Sequence, residues 1–229
     1  MILRHAGAIL VAGASALAFS VLLSLVDTNA TLAATWPDTP LARVEVLAIL
    51  KTFDVSLLST PSATVVLEDW CRDHHLAPQP RLVADRVATD TKPLTPGQRN
   101  DLQIGPDVQV RYRRVELACG PHVLSVADNW YVPARLTPDM NRELDTTDTP
   151  FGRVVAALHF TRRNLEDRLL WSPLPLDWDM RPLPPAGPVP ISLPFELLRH
   201  RAVLSRADGV PFCEVIETYT NSLLDFPPP

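Results

Sequence analysis

Two residues far apart in this chain have the types that handle a small organic acid. Arg114 stands five residues before Cys119, and Glu217 lies in an apolar run near the C-terminus. A guanidinium fork gives a planar carboxylate two parallel hydrogen bonds. A carboxyl in apolar surroundings has a raised pKa and can donate a hydrogen bond or shuttle a proton. Alternation along the strand-like run 108–118 puts Arg114 on one face with Tyr112 and Glu116, and Arg111 and Arg113 on the other. Glu217 follows Val215 and Ile216; Glu214 is the alternative, because one residue of slack in the preceding hairpin changes the choice. The structural alternatives are a surface acid beside Arg114 and a cross-strand arginine, Arg199 or Arg201, beside Glu217.

Other reactive types are less well placed. His74 and His75 are adjacent at a helix end and point apart, which suits a cap. His122, His159 and His200 have no ligand-spaced partners, so no metal site is expected. Asp128-Asn129-Trp130-Tyr131 could line an aromatic-acid pocket, although most such stripes are core. No pair of Cys71, Cys119 and Cys213 has C-x-x-C spacing, and Cys119 and Cys213 read as buried small hydrophobes rather than a disulfide. With 21 basic and 26 acidic residues, a net charge of −5 and no Lys/Arg run, the chain lacks the electropositive face of a nucleic-acid binder. Eight glycines among 229 residues leave no glycine-rich phosphate loop.

The elements that must position these residues follow from punctuation and period. Thr39-Pro40 and Thr60-Pro61 each predict a helix start, with Thr as cap and Pro in the first turn. Leu82–Val87, Val108–Ala118 and Val123–Val132 read as strands, the last two joined at Cys119-Gly120-Pro121-His122. The segment between the first two, TDTKPLTPGQRNDLQIGPD, reads as a long loop. Thr137-Pro138 and Thr149-Pro150 open short helices, and another strand is expected around Arg163–Leu170. Residues 172–194 are too rich in proline for a helix or inner strand. Leu197–Ser205 and Phe212–Thr220 flank Ala207-Asp208-Gly209 as a hairpin. Antiparallel strands with helices gathered at the ends predict a one-domain α+β fold over residues 35–229. Residues 1–34 carry Arg4, an apolar run from Ala6 to Val26 and small residues at Ala33 and Ala34, the pattern of a secretory signal peptide. An uncleaved anchor is the alternative, and would be the chain's one membrane contact. Either way a periplasmic or secreted, monomeric protein is expected.

In order, Arg114-Val115-Glu116-Leu117-Ala118-Cys119, ADNWYVP (127–133), DTPFGRVV (148–155) and Gly209-Val210-Pro211 leading into CEVIETY together resemble the chorismate pyruvate-lyase family. The resemblance covers roughly residues 40–226. It implies a mainly antiparallel sheet with helices and flaps enclosing a small-ligand cavity, cofactor-free elimination of pyruvate from chorismate, and 4-hydroxybenzoate as product. By the same resemblance Arg114 grips the substrate carboxylate, Phe151 and Gly152 in the Thr149–Gly152 turn touch the ligand, and Glu217 is the catalytic acid. Phe151 stands where the family has leucine, and Asp128-Asn129 where it has a small residue followed by arginine. Two functions stay open: a lyase of this type, and an exported, non-catalytic binder of a small aromatic carboxylate.

Overall fold

The computed structural model describes residues 35–228; the signal-peptide expectation for residues 1–34 lies outside the described residues. Helix α1 (Pro40–Ser59) begins as predicted, the Thr39 hydroxyl accepting from the Ala42 amide at 3.1 Å. Its residues Val46, Leu50, Phe53 and Leu57 recur every three or four positions and are all buried. Helix α2 (Ala63–Asp73) starts later than the sequence suggests. Thr60 ends α1, and Ser62 occupies the cap position of α2 without a side-chain cap bond. On α2, Val66, Leu67, Trp70 and Cys71 face inward.

Six strands follow: β1 (Leu82–Arg86), β2 (Arg111–Cys119), β3 (His122–Tyr131), β4 (Thr161–Leu169), β5 (Glu196–Ser205) and β6 (Pro211–Thr220). They form one antiparallel sheet in the order β1-β2-β3-β6-β5-β4. The α+β class and the closing hairpin agree with the sequence reading. The segment between β1 and β2 is not all loop: Thr95 and Gln98 form a reciprocal capping box that starts α3 (Pro96–Asp101). Two short helices, α4 (Pro138–Thr146) and α5 (Phe151–Val154), precede β4.

The sheet has two unlike faces. α1 and α2 cover one, packing Phe53, Leu57, Leu67 and Trp70 against Val115, Leu117, Ala127, Val215 and Ala202. Across that face the registers align Arg113 with Asn129 and Val215, and Val115 with Ala127 and Glu217. The segment between β1 and β2 lies over the other face. There Trp130 donates from its indole to the Lys92 carbonyl at 3.0 Å, and Arg201 reaches Asp101 at 2.9 Å.

One expectation about the cysteines is corrected. Cys71 and Cys119 form a disulfide, with Cα atoms 6.4 Å apart, and Cys213 alone is free and buried. Cys71 stands on the buried stripe of α2 and Cys119 is the buried last residue of β2, so the bond ties the helix to the end of that strand.

Candidate functional site

A small, partly open cavity of about 30 Å³ lies between the helix-covered face and the helices. β2 gives it Val115 and Leu117, β3 gives Ala127 and Asn129, β6 gives Val215 and Glu217, and β5 gives Leu204. Arg162 enters from β4, beside Phe160. The turn before α2 (Pro61–Thr64) and the start of α5 (Phe151, Gly152) close the top. Mostly apolar walls, with Ser62 and Thr64 at the roof, thus surround one ion pair and one amide.

Arg162 donates from Nη2 to Glu217 Oε2 at 2.7 Å, and both side chains are buried. The Tyr219 hydroxyl donates to the same oxygen at 3.0 Å. Burial, the largest single influence, would pull the Arg162 guanidinium down, but the charge and hydrogen bond of Glu217 together with Tyr219 and Cys213 hold it above its ordinary value. Burial pushes the phenol of Tyr219 and the thiol of Cys213 well above their usual ranges. The Asn129 side-chain nitrogen is buried without a partner. Behind Glu217, its cross-strand neighbour His200 is fully buried and meets Asp54 at 2.8 Å.

At about 10–15 Å³ per water, the cavity holds roughly two waters and not an aromatic ring. Its roof has a larger space on the other side, an open groove of about 430 Å³ that shares Pro61, Ser62, Thr64, Gly152 and Phe160 with it. The roof is thin because position 152 carries no side chain. A Cβ there would stand 2.7 Å from Thr64 Oγ1 and 2.9 Å from Ser62 Oγ. Outside, Arg153 of α5 is ion-paired to Glu68 of α2, which pins the two helices together.

Three of the four residues expected to form a site do line this cavity: Phe151, Gly152 and Glu217. Of the two glutamates only Glu217 lines this cavity; Glu214 points to the opposite face, where Arg201 Nε donates to it at 2.8 Å. Glu217 is not the isolated carboxyl expected of an apolar strand, because Arg162 is its partner.

Arg114 is a correction. It lies on the face away from the helices, where its Nη1 donates to both Asp128 oxygens at 2.9 and 3.0 Å. Lys92 donates to the same carboxylate at 2.6 Å, and the Tyr112 hydroxyl donates to it at 2.5 Å. The inward residues of β2 are Arg113, Val115 and Leu117, and one residue of register decides which arginine faces in. A shift in pairing between Leu117 and Ala118 separates this part of the strand from Cys119. Of the expected aromatic stripe, Asn129 alone lines the cavity. Arg162 was missed by sequence reasoning. The available signal was the adjacent pair Arg162-Arg163, of which strand alternation must turn one inward.

No family model matches this sequence. Over 198 residues it is 54% identical to the uncharacterized protein y4mC of Sinorhizobium fredii, a match covering 85% of this chain and 83% of that one. Among solved structures, the possible transcriptional regulator YydK of Bacillus subtilis aligns at 16% identity and TM-score 0.38, over 63% of this chain and 61% of its own. PhnF of Mycobacterium smegmatis aligns at 12% identity and TM-score 0.43, over 74% of this chain and 68% of its own.

Proposed function

This chain belongs to the family of the Sinorhizobium fredii protein y4mC, and we propose that the cavity and the groove across its roof together bind a small aromatic carboxylate of the 4-hydroxybenzoate type, the ring in the groove and the carboxylate reaching Arg162 through the roof at Gly152. The observation that carries this reading is the Arg162–Glu217 pair, buried at 2.7 Å inside mostly apolar walls beside an unpartnered Asn129 amide. A buried ion pair usually stabilises less than apolar packing of the same volume. Charges held this way suit a ligand better than a core. An incoming carboxylate shares the Arg162 guanidinium with Glu217, Asn129 supplies a further donor, and the ring with its para hydroxyl lies back in the groove. Access runs between Gly152 and the Ser62 and Thr64 side chains, from a groove whose 430 Å³ is within the usual size of ligand pockets, about 300–1,000 Å³.

Chorismate turnover is the second reading, favoured by Glu217 and the Phe151-Gly152 turn sharing this cavity. In that reaction the ring–oxygen ether bond breaks and the ring carbon bearing the hydroxyl loses its proton, giving the aromatic acid. The departing enolpyruvate takes up a proton and becomes pyruvate. Arg162 would offset charge on the departing oxygen and Glu217 would relay the proton, with positioning supplying most of the acceleration. The Cys71–Cys119 disulfide supports an exported location, periplasmic or secreted, since disulfides persist mainly in oxidising compartments.

Titrating the purified protein with 4-hydroxybenzoate, and incubating it with chorismate while following pyruvate, tests both readings. Binding that Arg162→Met abolishes is the expected result; pyruvate release in addition establishes the lyase. Absence of binding to either compound overturns the proposal. Protein isolated without reductant from an exporting host should contain one reactive thiol after unfolding, and three would contradict export.

A further inference from the structure

A second pocket in this molecule holds more positive charge than its own residues balance. An open groove of about 510 Å³ runs between the β1–β2 edge and the end of α4, and shares no lining residue with the cavity under α5. Arg86, Arg111 and Arg113 line it together with Tyr131, Leu144 and Asp145. Arg111 Nη1 donates to Asp145 at 2.7 Å, and Arg86 donates to the Leu144 carbonyl. Arg113 is 7% exposed, yet its Nε and Nη1 have no partner, and its Nη2 has the Thr149 carbonyl only at 3.5 Å.

A buried guanidinium with two idle N–H directions is costly unless an anion uses them. Burial, with Arg86 as a neighbouring positive charge, pulls the Arg113 pKa down to about 10, so it keeps its charge at neutral pH. Asp145 is the one carboxylate in the lining, so two of the three guanidinium charges are uncompensated. Two positive charges, one of them with unpartnered donors at Nε and Nη1, fit a dianionic oxyanion better than a single carboxylate. We infer that this groove is a separate binding site for a phosphate group, free or carried on a small molecule, with Arg113 as its floor and Arg86 and Arg111 as its rim.

The test uses the purified full chain with inorganic phosphate, followed by calorimetry and by thermal melting at constant ionic strength against chloride. Phosphate should bind and raise the melting temperature where chloride does not. Arg111→Gln and Arg86→Gln should each weaken binding about tenfold or more, the value of one charge-assisted hydrogen bond. Arg113→Met should abolish it, and if that variant does not fold, the two rim variants decide. Glu217→Gln should bind phosphate like the unmodified chain, which separates this site from the carboxylate cavity whatever happens there. The inference falls if chloride protects as well as phosphate, if both rim variants bind undiminished, or if benzoate displaces phosphate at equal concentration. Inorganic phosphate competing with a phosphomonoester such as phenyl phosphate identifies a carried group; binding of free phosphate alone identifies the ion.

Discussion

On the helix-covered face of the sheet, Glu217 has one cation, Arg162, and one hydroxyl, Tyr219, and beside them an amide of Asn129 with no partner. On the opposite face, Asp128 has Arg114, Lys92 and Tyr112 at 2.5–3.0 Å. Glu214 on that same face is fully buried and meets Arg201, which also reaches Asp101. Both faces therefore carry buried acid–arginine pairs. Asp128 is knitted into a network of three donors and Glu214 keeps one buried oxygen, Oε2, without a partner, whereas the inner pair borders empty space. What distinguishes the inner pair is the void beside its under-satisfied polar groups, not the presence of charge or of an unpartnered atom alone.

The largest expected effect tests that distinction. Arg162→Ala leaves Glu217 buried without its cation and should destabilise the fold by about 3–5 kcal/mol in denaturant unfolding. Replacing both partners, Arg162→Met with Glu217→Leu, should return most of that loss, because apolar side chains of similar volume commonly match or exceed a buried pair. Should the double variant be as unstable as Arg162→Ala, the inner pair is a structural element and the contrast between faces fails.

The next effect concerns what holds the helices over the inner face. The disulfide closes a loop of 48 residues between α2 and the end of β2. Cys71→Ser should cost about 4 kcal/mol if the restriction of the unfolded chain dominates. Its effect on ligand access should exceed its effect on the Arg114–Asp128 network, since α2 carries Thr64 and Glu68 of the roof. Comparing benzoate association rates with and without reductant separates these two outcomes.

Much of this molecule was legible in its sequence, and the misses have one cause. Strand alternation and Thr-Pro punctuation found the sheet, α1, α4 and the closing hairpin, because each is a local rule. Glu217 and the Phe151-Gly152 turn reached the same cavity because each lies within an element whose register the sequence constrains. Arg114 went to the wrong face because β2 carries Arg111, Arg113 and Arg114 together, and a single residue of register exchanges inward for outward. Arg162 was illegible for a related reason: β4 is a polar edge strand whose composition does not mark its inward side. The Cys71–Cys119 bond is a contact between a helix and a strand 48 residues apart, which spacing alone does not reveal.

A smaller effect is expected at the roof. Gly152→Ala places a methyl against Thr64 Oγ1 and Ser62 Oγ at less than 3 Å, a degree of overpacking that typically costs about 1–3 kcal/mol. If the passage lies there, the variant should change ligand association and dissociation rates more than its stability loss explains, and Thr64→Ala should recover part of both. A variant that alters stability alone would move the passage elsewhere and leave the inner face closed.

The smallest effect belongs to the outer face, and its sign with pH is specific. Arg114→Ala should cost about 1 kcal/mol or less, because Asp128 keeps Lys92 and Tyr112 and the arginine is partly exposed. Burial would raise the Asp128 carboxyl, but Lys92, Tyr112 and Arg114 outweigh it and hold it below the ordinary carboxylate range. A depressed acid stabilises the fold above its unfolded pKa, about 3.9, and loses that contribution as pH falls through its folded value. Tyr112 works in the opposite direction. Burial first, then the Asp128 carboxylate, raises its phenol to about 12. Its contribution is complete below its unfolded pKa, about 10, and disappears as pH rises through the folded one. Removing Arg114 takes away a cation that lowers both values, so both titrations should move upward. Acid unfolding would then begin at higher pH, and phenolate absorbance in the native state at still higher pH. If neither curve moves, Arg114 is not part of the network, and the ordering of the two faces by satisfaction loses its outer member.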